Sequence, residues 1–170
     1  HQPPAAQEWC IQNLYNDFDK ADLPGNYSIG IHPWHLDAAN WPQQIEALGD
    51  WCRHPHVLAI GECGLDKVCT TSFSLQQQVF SAQIQYACEV GKPLIIHCVR
   101  SWEEVLHLLK QQRNRVPVIF HGFNKNKAIA LRIINEGYYV SFGKSLEKMA
   151  IREVLAALPP EKIFLETDNA

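Results

Sequence analysis

Short, continuous apolar runs separated by amphipathic stretches organise this sequence. The runs fall at Tyr27 to Ile31, Val57 to Ile60, Pro93 to Ile96, Pro117 to Phe120, Tyr138 to Phe142 and Ile163 to Leu165, each the length of a buried strand. Between most of them the period changes to that of a helix. Leu75 to Val90 is one such stretch, and Trp102 to Leu109 is another, with Trp102, Val105, Leu106 and Leu109 on one face. Ser74-Leu-Gln-Gln77 and Ser101-Trp-Glu-Glu104 have the form of capping boxes and predict helix starts there. A further helix start is expected near Asn124-Lys125-Asn126-Lys127, where backbone N–H groups and lysines either meet a phosphate or form an ordinary N-cap. Strands that are continuously apolar rather than alternating are covered on both faces, so the pattern predicts parallel strands joined by helices, an α/β fold of βα repeats.

Composition narrows this only a little. The 170 residues, 46% hydrophobic and 19% charged, suit one domain spanning 1–170 around a single core. No apolar run approaches the roughly 18 residues needed to cross a bilayer, and the opening HQPPAAQEWC lacks the parts of a secretory signal. A cytoplasmic protein with no membrane partner is expected. The six cysteines, without CxxC spacing, are read as reduced thiols. A formal charge of −3 with no dense basic run argues against a protein that grips nucleic acid by electrostatics alone. It leaves an enzyme open, because bound cations can position a phosphate locally.

The candidate chemistry lies at the ends of the runs. Glu62 follows Val57-Leu-Ala-Ile-Gly61, His97 follows Pro93 to Ile96, His121 follows Pro117 to Phe120, and Asp168 follows Ile163 to Thr167. Taken singly, each histidine is an ordinary loop residue and each acid an ordinary helix cap. Taken together, they occupy one end of successive βα units, the end at which a (β/α)8 barrel carries its active site. The Gly-rich fingerprint of a dinucleotide fold is absent, which favours the barrel over an open doubly wound sheet. Six strands are found where a closed TIM-type barrel needs eight in about 250 residues. The barrel therefore reads as incomplete, its first and last strands not found, and the chain as part of a longer polypeptide. Two imidazoles and two carboxylates suit one or two divalent ions, with Zn²⁺, Mn²⁺ and Mg²⁺ as the candidates. Such ions lower the pKa of a bound water and polarise a phosphoryl or carbonyl oxygen.

At these residues the sequence resembles the TatD family of metal-dependent deoxyribonucleases, within the amidohydrolase-like (β/α)8 superfamily. The resemblance runs from Gly30-Ile31-His32-Pro33-Trp34-His35 through Ala59-Ile60-Gly61-Glu62-Cys63-Gly64-Leu65-Asp66, Ile96-His97-Cys98 and Phe120-His121-Gly122-Phe123 to Glu166-Thr167-Asp168. It implies that Glu62 bridges two metals, that His97 and His121 ligate one of them, and that Asp168 binds the other and takes a proton from the attacking water. Glu62 and Asp168 are thus the expected catalytic pair. His32 is implied as a substrate-phosphate contact, with Lys67 and Arg100 as further substrate-binding candidates.

Several departures accompany the resemblance. The His-x-His pair with which the family normally opens is absent, and His1 is the one residue that can be a remnant of that region. Val99 stands where many members have Arg, with Arg100 one position later, and Lys67 replaces a common aromatic residue. His121-Gly122-Phe123 and Asp168-Asn169-Ala170 differ from the usual triplets but keep the expected ligands. The function expected is metal-dependent hydrolysis of DNA phosphodiester bonds, at single-stranded or 3′ ends. The alternatives are hydrolysis of small esters, amides or lactones by the same chemistry, and a non-catalytic binding module on the same scaffold. Trp34, Phe123 and Trp102 either stack on a base or are buried.

Overall fold

The computed structural model describes residues 10–167. It contains seven strands: β1 (Gln12–Leu14), β2 (Tyr27–Ile29), β3 (Val57–Asp66), β4 (Leu94–Val99), β5 (Val118–Phe120), β6 (Tyr139–Phe142) and β7 (Ile163–Leu165). The helices α1 (Trp41–Trp51), α2 (Phe73–Val90), α3 (Trp102–Gln111), α4 (Lys127–Asn135) and α5 (Met149–Ala156) lie between them. All six strand pairings are parallel and their order in space is their order in sequence. A doubly wound sheet reverses its order at a switch point. The absence of any reversal makes this sheet the wall of a (β/α)8-type barrel, with β1 and β7 its outer strands among the described residues.

Why these segments form strands is visible in their burial. Ile29, Val57, Ile60, Leu94, Ile96, Val118, Phe120, Val140 and Phe142 are fully buried and join one core with Phe80, Ile84, Leu109 and Ile133 from the helices. Helix α2 packs against β3, α3 against β3 and β4, and α4 against β6. No described helix is long and apolar enough to cross a membrane. All six cysteines are unpaired thiols.

The sheet departs from the sequence reading in three places. Strand β1 has no counterpart among the predicted runs, because its Gln12 and Asn13 are polar and only Leu14 is buried. Strand β3 does not stop before Glu62 but continues to Asp66, and His97 lies within β4 rather than beyond it. The extension passes through an irregularity in the β3–β4 register between Ile60 and Cys63. Gly61 and Gly64 have φ values of 150° and 135°, and a side chain at either would collide with the carbonyl oxygen of Ile95 or His97. Glycine here signals a bulge with close backbone approach, which a sequence reading takes for a strand end. Helix starts differ as well. Ser72, not Ser74, precedes α2, while Ser101 precedes α3 without capping it. Its hydroxyl instead donates to the Leu65 carbonyl at 2.8 Å. Asn126 is an ordinary N-cap of α4, accepting from the Ile129 N–H at 3.1 Å.

Two buried glutamines on α2 tie the helix to the strand tips. Gln83 accepts from the Ile31 N–H at 2.8 Å and donates to the Ile31 carbonyl at 3.1 Å. Two turns earlier, Gln76 accepts from the Asp66 N–H at 2.8 Å and donates to the Asp66 carbonyl at 3.0 Å. Each amide satisfies both backbone groups of a residue that leaves the sheet, so the loops carrying His32 and Asp66 begin from fixed points.

Candidate active site

Each of the seven strands brings one polar side chain to the same end of the sheet. They are Asn13 of β1, Ser28 of β2, Glu62 of β3, His97 of β4, His121 after β5, Ser141 of β6 and Glu166 after β7. In βα barrels this is the end where side chains from different strands converge, and hydrogen bonds link most of the set. Ser28 Oγ donates to Asn13 Oδ1, and Asn13 Nδ2 donates to Glu62 Oε1. Glu62 Oε2 then lies 3.5 Å from His121 Nε2 and 3.9 Å from His32 Nε2. On the far side, His121 Nδ1 bonds Glu166 Oε2 at 3.1 Å. That oxygen also accepts from Ser141 Oγ and from the Gly122 N–H at 3.3 Å.

Burial and hydrogen-bond partners set the charge state of Glu166, Asp66 and His32. Burial pushes the Glu166 carboxyl up, but the bonds from His121, Ser141 and Gly122 outweigh it and hold the group below the usual carboxylate range. An ionised Glu166 accepts a hydrogen bond from the Nδ1–H of His121 and leaves the Nε2 lone pair on the Glu62 side, the arrangement by which carboxylates orient metal-ligating histidines. Asp66 serves His97 in the same way, its Oδ2 lying 3.0 Å from His97 Nε2. Burial raises Asp66 as well, and the bonds from His97, Trp34 and Val68 more than offset this. Burial, together with the neighbouring imidazoles of His97, His35 and His121, pushes His32 down to about 3, which leaves it neutral near pH 7. Its Nδ1 accepts the Trp34 N–H at 3.1 Å, which places the remaining proton on Nε2, facing Glu62.

His32, Glu62 and His97 offer donor atoms that all lie within 4.8 Å of one another, and His121 approaches the same Glu62 oxygen. Mixed imidazole and carboxylate donors, mostly buried and held by further hydrogen bonds, have the chemistry of a divalent metal site. The structure therefore brings together Glu62, His97, His121 and His32. Asp168 and His1 lie outside the described residues. Lys67 and Arg100 lie apart from the cluster, lining a surface cavity of about 330 Å³ with Trp102, Glu103, Glu104 and Arg132. Lys67 pairs with Glu104, and Arg132 with Glu103.

Sequence reasoning assigned no role to Asn13, Ser28, Asp66, Ser141 or Glu166. Asp66 and Glu166 stand inside the quoted motifs and their position was their signal. Asn13, Ser28 and Ser141 carried none. Of the three aromatic candidates, Phe123 is buried and Trp102 stacks on Phe120 with ring centroids 5.1 Å apart, whereas Trp34 is 61% exposed.

A parallel barrel wall whose strand tips gather histidines around a buried glutamate defines a (β/α)8-type protein with a site able to hold a metal ion. Within that class the chain belongs to the TatD related DNase family, whose sequence profile matches residues 14–169. It is 33% identical over 150 residues to the 3′-5′ ssDNA/RNA exonuclease TatD of Klebsiella pneumoniae, covering 83% of this chain and 56% of that protein. To the protein of the same name from Edwardsiella piscicida it is 31% identical over 171 residues, covering 96% of this chain and 63% of the relative. The chain thus spans somewhat more than half the length of these relatives. Among solved structures, it superposes on the TatD homologue YJJV of Escherichia coli K12 with a TM-score of 0.79 and 26% identity, covering 93% of this chain and 66% of that one. A TatD family hydrolase from Entamoeba histolytica shares the fold, with a TM-score of 0.81 at 23% identity over 93% of this chain and 59% of that one.

Proposed function

We propose that this chain carries the metal-holding wall of a hydrolase that cleaves phosphodiester bonds of single-stranded nucleic acid, working from a 3′ end. The observation that carries the reading is the linked set of strand-tip side chains centred on Glu62, which has a His97 ring nitrogen within 4.8 Å and His121 Nε2 3.5 Å from its Oε2. Family membership and the activity for which the relatives are named support the substrate class.

In this reading Glu62, His97 and His121 would hold the ion, and Asp168, which lies outside the described residues, would supply a carboxylate for a second. Imidazole with carboxylate suits Zn²⁺ or Mn²⁺ better than Mg²⁺, which prefers an all-oxygen shell. A bound ion of this kind supplies a water of lowered pKa and polarises the phosphoryl oxygen. The residues of the chain do the rest. Asn13 holds Glu62 Oε1 and so turns Oε2 toward the histidines. Asp66 and Glu166 fix the two imidazole planes. His32, whose proton sits on Nε2, donates to a non-bridging phosphate oxygen, a role open to a neutral imidazole that does not compete for the metal. Asp168 would be the base for the proton of the attacking water. Lys67 and Arg100 contact phosphates further along the strand, and Lys67 can leave its exposed Glu104 partner at little cost. Six unpaired thiols support a reducing compartment, the cytoplasm, as the place of this chemistry.

The test is cleavage of end-labelled single-stranded DNA and RNA after chelation, with Zn²⁺, Mn²⁺ or Mg²⁺ restored, beside Glu62→Gln. Products shortened stepwise from the 3′ end, restored by metal and reduced at least about a hundredfold in the variant, are expected. Cleavage that persists in chelator, or equally in Glu62→Gln, contradicts the reading.

A further inference from the structure

Trp34 is one of the largest exposed apolar side chains of the described residues, at 61%, on a loop whose neighbours Ile31, His32, Pro33 and Leu36 are buried. Leaving so much aromatic surface in water is unfavourable, and the side chain is not loose. Its Nε1–H donates to Asp66 Oδ2 at 2.8 Å, and Asp66 is itself 3% exposed and held by the Val68 and Cys69 N–H groups. The indole also meets the rings of His32 and His97 edge to face, with centroids 5.0 and 5.6 Å away. An exposed ring is thus fixed in place, against two side chains of the site and in a hydrogen bond to the carboxylate that orients His97.

We infer that Trp34 is the stacking platform for a nucleobase of the substrate strand, the base adjacent to the phosphodiester held at the Glu62–His97 cluster. This rests on the nucleic-acid reading above and adds to it the place where a base is gripped. A ring already ordered before binding loses little conformational entropy when a base covers it. Stacking on an indole accepts any base, because every base presents a π-face, so the contact supplies affinity and register without sequence preference. Contact between Trp34 and the His32 and His97 rings sets the distance from platform to phosphate within the span of one nucleotide. DNA and RNA share this base chemistry.

The experiment measures fluorescence anisotropy of labelled, hydrolysis-resistant phosphorothioate oligo(dT) and oligo(rU) with Mn²⁺, on the wild type, Trp34→Ala and Trp34→Phe. Loss of a base stack predicts affinity about 5- to 100-fold weaker in Trp34→Ala, largely recovered in Trp34→Phe, which keeps the ring and lacks the indole N–H. A single abasic unit walked along the strand should weaken wild-type binding at one position and cost nothing further there in Trp34→Ala. Equal binding by the wild type and Trp34→Ala overturns the platform while leaving the nuclease reading intact. Equal loss in the Phe and Ala variants also overturns it, assigning Trp34 to the Asp66 hydrogen bond. Failure of the wild type to bind either strand overturns the nucleic-acid reading, and the platform with it. Equal weakening of oligo(dT) and oligo(rU) supports the shared base as the recognised group, and loss for one alone contradicts it.

Discussion

Glu62 is the residue on which the site turns, and what surrounds it consists of side chains that accept or donate on its behalf. Asn13 and Ser28 form one arm, His121 with Glu166 and Ser141 the other. The two supporting carboxylates have a measurable consequence. Asp66 and Glu166 both lie below the usual carboxylate range in the fold, so the folded chain binds fewer protons than the unfolded one at mildly acid pH. Their contribution to stability is present above the unfolded carboxylate values, about 4, and is lost as pH falls through the lower folded values. Urea unfolding of the metal-free protein against pH should show this acid limb, flattened in Asp66→Asn combined with Glu166→Gln. An unchanged limb in that double variant contradicts the assignment. Glu62, His97 and His121 were legible in the sequence because each ends or interrupts an apolar run. Asn13 was not, since a polar residue in a three-residue strand erases the very pattern that reveals the strand.

Among the elements, α2 has a role that hydrophobic period alone cannot show. Gln76 and Gln83 occupy its buried face where the pattern expects apolar residues, and both are spent on backbone groups at the tips of the sheet. Gln83→Ala leaves the Ile31 N–H and carbonyl buried without partners and should lower unfolding free energy by about 1–3 kcal/mol, read by urea denaturation. A change under about 0.5 kcal/mol would show that water or a neighbour replaces the amide and that the His32 loop does not depend on it. Most strands were placed correctly from their apolar runs. At β3 the strand end was misplaced, because Gly61 and Gly64 punctuate the sequence but not the strand. The two glycines that look like an ending permit the bulge that carries Glu62 into the cluster, so the local rule failed where the candidate site is built.

At the scale of the whole molecule, sequential parallel strands explain how residues as distant as Asn13 and Glu166 reach one cluster of interacting side chains. The alternation of strand and helix announced a βα-repeat fold, and the shared placement of Glu62, His97 and His121 at the run ends pointed to the end of the sheet where they meet. Neither could announce β1, nor the contribution of a residue from every strand. The exposed apolar residues Phe164 and Leu165 lie on β7, an outer strand of the described wall. On the proposed reading, an acidic chain acting on a polyanion would have to concentrate its attraction at one place, and a bound metal ion would do so. The most direct test of that centre is calorimetric titration of Zn²⁺ and Mn²⁺ into the chelated protein and into its Glu62→Gln and Glu166→Gln variants, each checked for an unchanged fold by its unfolding curve. A wild-type site that is lost in Glu62→Gln, and weakened about 10- to 100-fold in Glu166→Gln through the freed His121 ring, is the predicted result. Equal metal affinity in the wild type and Glu62→Gln would contradict the account.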